Sequence, residues 1–343
     1  MTAATAGTAG TADPADTSRA AREQGSTVQG STVQGSAVQG ITVQGLTKSY
    51  GRTEVLRGID LHLAPGRVYG LLGANGVGKT TLMSVICNHT FRTGGSITID
   101  GQDPRENAPL LARTCFIHED QRWHDDYKVR HILDALTWFH PASDTALANR
   151  LLDRFGVPRS TALKKLSRGQ RSSLAIALSL ASRAPYTFLD EPHLGLDATA
   201  RSIFYEELMG DISQHPRTVV MSTHLIDEAA GLFEEVLLMR RGKVEIQADV
   251  DEVTSSMVVV RGLEDDVDAF VAGRDVVSRH SLGRIRSVLL RDRLSSKDQR
   301  RAEQQHLSIE PAGLQEIVAA LGILDHPDPT APADPTASSK EPS

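Results

Sequence analysis

An α/β fold built on a parallel sheet is predicted between Ile41 and Gln247, and three observations predict it. Short apolar runs alternate there with helix-length segments, the pattern of strands joined by crossover helices. The runs around Phe188 and Val219 are apolar without alternation, as strands covered on both faces are. Residues Gly73 to Thr80 read G-x-x-x-x-G-K-T between an apolar run and a helical one.

Taken in order, residues 1–40 open with an Ala-, Thr- and Gly-rich stretch that offers little to bury and reads as a disordered tail. Within it begins a pentapeptide repeat, GSTVQ, GSTVQ, GSAVQ, GITVQ, from Gly25 to Gln44. One Val per unit is too little for a solenoid. The repeat reads as a duplicated strand segment, with its last copy, from Ile41 to Leu46, forming the first strand. Further strands are expected at Ile59–Leu63, Arg67–Leu72, Ser96–Ile99, Arg113–Ile117, Tyr186–Leu189, Thr218–Met221, Val236–Met239 and Lys243–Gln247. Helices are expected at Thr80–Asn88 and Ala198–Ser213. An amphipathic stretch from Tyr127 to Leu163 without strand pattern reads as a helical insertion, residues 120–166 in round terms. Residues 249–323 suggest a small α+β appendage, with strands at Met257–Val260, Ile285–Leu290 and His306–Ile309 and helices at Glu264–Ala272 and Ala312–Leu321. Residues 324–343 are rich in Pro, Asp and Ser and read as a second disordered tail.

Composition limits the function. The chain has 343 residues, 40% hydrophobic and 23% charged, with a net charge of −6. That balance argues against a nucleic-acid binder, whose contact face is usually basic. Cys87 and Cys115 sit in apolar surroundings and read as reduced core thiols. No run approaches the ~20 apolar residues of a spanning helix, and the N-terminus lacks a basic-then-apolar signal pattern. The expected place is cytoplasmic, so any action on a membrane needs a partner that supplies the spans.

The motif Gly73-Ala74-Asn75-Gly76-Val77-Gly78-Lys79-Thr80 carries the first chemistry. Its glycines let the backbone curl so that N–H groups face a polyphosphate. The helix that follows adds its positive end. Lys79 is placed to reach the β- and γ-phosphates and Thr80 to offer a hydroxyl to Mg²⁺, with Thr81 assisting at the same helix start.

Tyr186 to Glu191 is an apolar run ending in two carboxylates. Asp190 is expected in the Mg²⁺ shell and Glu191 as the base that orients and deprotonates water. Alone, such a pair is an ordinary solvated strand end; beside a phosphate loop it reads as a hydrolysis site. His224 follows the next strand and is placed to donate toward developing charge on the γ-phosphate.

Beyond these, Leu166-Ser167-Arg168-Gly169-Gln170 resembles the LSGGQ signature of the ABC ATPase family, and the likeness runs from Ile41 to Gln247. Tyr50 resembles the family's adenine-stacking aromatic, Gly195-Leu196-Asp197 its D-loop, and Ser222-Thr223-His224 its switch histidine. The resemblance implies an α/β P-loop NTPase core over residues 41–248, with an antiparallel β subdomain and the helical insertion. It implies ATP and Mg²⁺ as cofactors. It further implies that Ser167, Gly169, Gln170 and Asp197 of one copy contact the ATP held by a second ATPase subunit, in a homodimer or a heterodimer.

Two positions depart from the family pattern. Glu119 stands where the family has the Q-loop glutamine, with Gln121 two residues on; a carboxylate at 119 could still reach Mg²⁺. Arg168 replaces the first signature glycine, pointing outward or adding charge near the opposing phosphate. By resemblance the chain is expected to drive an exporter through a separate transmembrane permease subunit, peripheral on the inner face of the membrane. The competing readings are a soluble ABC ATPase and a slow nucleotide-gated switch.

Overall fold

The computed structural model describes residues 39–118, 121 and 123–322. Residues 1–38, the expected tail at 324–343 and Glu119 lie outside the described residues; Gly40, expected in the first tail, is instead buried, and its N–H donates to Asp100 Oδ1 at 2.8 Å.

A six-stranded sheet forms the centre, in the order β5-β6-β7-β3-β8-β9. Its strands are β3 (Val68–Gly73), β5 (Thr114–Ile117), β6 (Tyr186–Asp190), β7 (Thr218–Ser222), β8 (Glu235–Arg240) and β9 (Lys243–Asp249). β5, β6, β7, β3 and β8 run parallel. β9 departs from the parallel pattern: it turns back after Arg241-Gly242 and pairs antiparallel with β8, because a two-residue connection leaves no length for a crossover.

Side chains on these strands alternate between two cores, as the two-residue pleat requires. Tyr69, Leu71, Tyr186, Phe188, Val220, Leu237 and Met239 face one core. There they meet the antiparallel sheet β2-β1-β4, made of β1 (Ile41–Tyr50), β2 (Thr53–Leu63) and β4 (Gly94–Ile99), together with α1 (Lys79–Ile86). Val68, Leu72, Leu189, Val219, Met221, Val236 and Leu238 face the other core, which is helical. That second layer includes α3 (Val129–Phe139), α4 (Thr145–Arg154), α5 (Arg168–Ala181) and α6 (Ala198–Gln214); a short α2 (Ala108–Leu111) precedes β5. The apolar run from Leu174 to Ala181 is the buried body of α5, and its one hydroxyl, Ser179 Oγ, donates to Ile176 O at 3.0 Å.

After α7 (Ile226–Ala229) and α8 (Val250–Ser255), a second antiparallel sheet follows in the order β11-β12-β10-β13. It is built from β10 (Val258–Leu263), β11 (Val276–Leu282), β12 (Ile285–Leu290) and β13 (Ser308–Pro311). α9 (Glu264–Val271), α10 (Ser296–Gln304) and α11 (Leu314–Ala320) complete this part. Strand β11 and helices α8 and α10 have no counterpart in the sequence reading. The same pleat logic divides this sheet: Val260, Val288 and Leu290 pack with Val267, Phe270 and Ala302 in a local core. Val259 and Leu289 point the other way and join the main helical core, along with Ile317 and Val318 of α11. The appendage is therefore fused to the central domain through shared apolar burial. Cys87 and Cys115 are buried and form no disulfide. No helix among the described residues is long and apolar enough to cross a membrane.

Candidate functional site

Three neighbouring parallel strands, β3, β7 and β6, end side by side, with Leu71 opposite Ser222 and Asp190 opposite Ser222. In an open α/β sheet the carboxyl ends of strands form the ligand crevice. Each of these ends carries a group singled out in the sequence.

After β3, the loop Ala74–Gly78 leads into α1, whose cap residue Gly78 has φ 111°, a left-handed value that glycine reaches freely. Among the described residues the backbone N–H groups of Asn75, Gly76 and Gly78 make no hydrogen bond. Lys79 is 7% exposed, and its ammonium donates to the carbonyls of Gly73 (2.8 Å) and Ala74 (3.2 Å). No carboxylate among the described residues lies within ion-pair distance of it. Burial lowers its pKa, opposed by the charges of Glu191 and Asp190. A buried cation held by carbonyls, beside backbone N–H groups without a protein partner, suits a polyanion.

Thr80 Oγ1 donates to Asp190 Oδ2, and Ser222 Oγ donates to Asp190 Oδ1 at 2.5 Å. Asp190 itself is buried. A hydroxyl paired with a carboxylate is an all-oxygen donor set, the chemistry that suits Mg²⁺. Thr81 is half-buried in the same helical turn.

Glu191 leaves β6 with φ 49°, a left-handed conformation uncommon for a side-chain-bearing residue. Its N–H donates to Ser222 Oγ at 3.0 Å, which fixes the turn. Its Oε2 lies 2.8 Å from His224 Nδ1 and 3.3 Å from His193 Nε2. His224 is half exposed, whereas His193 is buried and its Nδ1 faces Thr223 Oγ1 at 3.5 Å. Burial pushes the His193 imidazole down to about 4, with the charges of His224 and Arg201 adding to the effect, so it is neutral at physiological pH. The sequence reading missed His193, and it named Ser222 only as part of the motif ending at His224, without its bonds to Asp190 and Glu191. His193 belongs to no spacing rule, and only its position next to Glu191 reveals it.

The remaining candidates lie apart from this crevice. Ser167 caps α5: its Oγ accepts from Gln170 N and Gln170 Oε1 accepts from Ser167 N, both at 3.1 Å. This reciprocal cap uses the serine oxygen as acceptor and leaves its hydrogen available. Arg168 is exposed, and its stem lies against Gly195. Gly169 packs against the carbonyl of Gly195. Asp197 caps α6, accepting from Ala200 N at 2.8 Å. Among the described residues no hydrogen bond joins Ser167, Gly169, Gln170 or Asp197 to the phosphate loop. Tyr50 ends β1, half exposed, with Lys48 Nζ 4.5 Å from its ring centre. Among the described residues Gln121 Oε1 is buried without a hydrogen-bond partner.

A nucleotide-binding α/β P-loop protein is thus defined by fold and site together. Residues 56–194 match the sequence family described as ABC transporter. The chain is 23% identical over 245 residues to the ABC transporter ATP-binding protein YtrB of Bacillus subtilis strain 168, covering 71% of this chain and 84% of that protein. It is 32% identical over 210 residues to the aliphatic sulfonates import ATP-binding protein SsuB of Ralstonia nicotianae, covering 60% and 70%. To the daunorubicin resistance ATP-binding protein DrrA3 of Streptomyces coeruleorubidus it is 31% identical over 213 residues, covering 60% and 67%. A solved ATP-binding subunit of an ABC transporter superposes with a TM-score of 0.57 at 22% identity, over 63% of this chain and 92% of that one. The chain belongs to the ATP-binding subunits of ABC transporters.

Proposed function

We propose that this chain binds and hydrolyses Mg-ATP to drive an exporter whose transmembrane permease is a separate subunit. The observation that carries the reading is the contact between Glu191 Oε2 and His224 Nδ1, 2.8 Å long, one strand away from the Lys79 loop.

Lys79 and the N–H groups of Asn75, Gly76 and Gly78 bind the phosphates, and Tyr50 stacks on the base. Thr80 and Asp190 hold the metal ion, with Glu119 adding a carboxylate. Mg-ATP, when bound, supplies the γ-phosphoryl group and its leaving group. Glu191 orients the attacking water and accepts its proton; His224 holds the Glu191 carboxylate in place through Nδ1–H and, when its ring carries both protons, offers Nε2–H to the charge that develops. Asn75, Gly76 and Thr80 of the cradle are exposed in one copy. Ser167, Gly169, Gln170 and Asp197 of a second copy close over it, so ATP binding and dimer closure are linked. Loss of the γ-phosphate removes the bridge and reopens the pair, and the permease turns that motion into transport at the inner face of the membrane.

Glu191→Gln tests the chemistry. It keeps the shape of the side chain and is expected to lower ATP turnover by roughly 10²–10⁴-fold while Mg-ATP binding persists. A wild-type rate no higher than the variant's favours a nucleotide-gated switch. Likeness to SsuB favours import, and 29% identity over 202 residues to the Nod factor export ATP-binding protein I of Paraburkholderia xenovorans favours export. ATP-driven uptake into inside-out vesicles containing the subunit and its permease supports export; ATP-driven loss from them supports import.

A further inference from the structure

We propose that Glu191, His193 and His224 form a binding site for a divalent transition metal of the zinc type, separate from the Mg²⁺ position, whose occupancy suspends hydrolysis.

Three ligand atoms converge here. His193 Nε2 lies 3.3 Å from His224 Nδ1 and 3.3 Å from Glu191 Oε2, and His224 Nδ1 lies 2.8 Å from Glu191 Oε2. A zinc ion bound at about 2.0–2.1 Å in a tetrahedron holds its ligand atoms ~3.3 Å apart. The triangle therefore has nearly the size of one tetrahedral face, and the ion needs only small side-chain shifts to sit above it. Two imidazoles and one carboxylate, with a fourth position left to water, form the ligand set of an accessible zinc site.

The surroundings favour this use over a passing surface contact. His193 is 3% exposed, so its ring is held in place by packing. The left-handed backbone at Glu191 and its N–H bond to Ser222 Oγ aim the carboxylate at the two rings. His224 is half exposed, which gives an ion a route from solvent.

This trio also differs in kind from the neighbouring pair of Thr80 and Asp190. Mg²⁺ seeks oxygen ligands in octahedral array, whereas imidazole nitrogen selects the later divalent ions. The two positions thus sort metals by donor chemistry. An ion on the trio takes Glu191 Oε2 as ligand, so that oxygen no longer accepts a proton from water. This second half of the inference rests on the hydrolytic role proposed for Glu191; the binding itself does not.

The test uses the full chain, free of affinity tag, nucleotide and metal, titrated with Zn²⁺ against a chromophoric chelator and separately with Co²⁺. The wild type is expected to bind one Zn²⁺ tightly and to give visible Co²⁺ bands of low-coordinate type. His224→Ala and His193→Gln should each weaken Zn²⁺ binding at least tenfold and abolish those bands. If His193→Gln fails to fold by circular dichroism, the exposed His224→Ala decides alone. His62→Ala, on a remote strand, should leave the titration unchanged. Absence of binding in the wild type, or binding equally tight in the folded variants, overturns the proposal and assigns any uptake to other histidines. ATP turnover with excess Mg²⁺ is measured in parallel and should fall as Zn²⁺ fills the site. A chain that never hydrolyses ATP would refute the proposed function and leave the metal titration standing. A turnover insensitive to Zn²⁺ at full occupancy would overturn the inhibitory half.

Discussion

Gly169 and Gly195 bring two backbones together: a Cβ on Gly169 would lie 2.6 Å from the carbonyl oxygen of Gly195. Ser172, one turn further along α5, donates its hydroxyl to Leu194 O at 2.6 Å. The start of α5 and the loop after Glu191 are thus joined by a close backbone approach and a hydrogen bond.

Gly169→Ala adds a methyl where no space exists. Overpacking of this kind costs about 1–3 kcal/mol, and the backbone oxygen cannot rotate away. The strain is expected to push the start of α5 away from Gly195 and to lower ATP turnover measurably. The variant's affinity for Mg-ATP as a single chain should stay close to wild type, because the phosphate loop is untouched. Steady-state ATPase assays and nucleotide titrations on the same sample separate the two.

Lys79→Ala removes the buried ammonium that lies against Gly73 O and Ala74 O. Truncating one side of a buried charged contact costs about 2–5 kcal/mol. Mg-ATP affinity should therefore fall by at least ~30-fold, at about 1.4 kcal/mol per tenfold. Fluorescent-nucleotide titration reads this directly, and wild-type affinity in the variant would refute the assignment of the cradle.

Asp211 holds two arginines. It pairs with Arg217, buried and also bonded to Leu180 O at 3.0 Å, and with Arg183, whose other arm reaches Asp144 at 3.0 Å. Asp211→Ala leaves the Arg217 guanidinium buried without its counter-ion. Breaking such a pair costs about 3–5 kcal/mol. A large drop in the urea midpoint is expected, with Mg-ATP affinity preserved under native conditions. An unchanged midpoint would show that water or a neighbour replaces the carboxylate.

Asp298 links acid stability to the appendage. Its carboxylate accepts from Ser295 Oγ (2.6 Å) and Ser295 N (3.0 Å) and pairs with Arg274. The Ser295 hydroxyl above all, then its N–H and the arginine, holds the pKa at about 2, below the ordinary 3.8. The unfolded chain therefore binds the proton more readily in the window between those values. The stabilisation is complete above the upper value and is lost as pH falls through the lower one. Asp298→Asn should be less stable than wild type at neutral pH, and the difference should shrink as pH falls toward about 2. Denaturation midpoints of both proteins across that range provide the check.

Much of the site was legible before any coordinates. A phosphate loop is local: glycines at fixed offsets and a lysine at a helix start act through their own backbone, so Gly73 to Thr80 declare themselves in eight consecutive residues. The capping pair of Ser167 and Gln170 is local in the same way. Strands β6 and β7 were equally plain, because burial on both faces demands unbroken apolar runs. By contrast, β11 is an edge strand with an exposed second half, and α10 buries only Ala302. Neither has the apolar period that a sequence pattern needs.

What the order of residues determined was each local device: the loop that curls, the helix that is capped, the strand that is covered on two faces. What only the tertiary structure decided was which devices meet. His193 stands two residues from Glu191 and His224 thirty-one further on, and nothing in that spacing announces that both rings close on one carboxylate oxygen. Pairing β6 beside β7 places them there, and the left-handed turn at Glu191 aims the acid at them. The contact of Gly169 with Gly195 arises likewise from packing a helix against a loop. Short-range rules are carried by a few bonds of backbone, whereas such convergences exist only after the whole sheet has assembled.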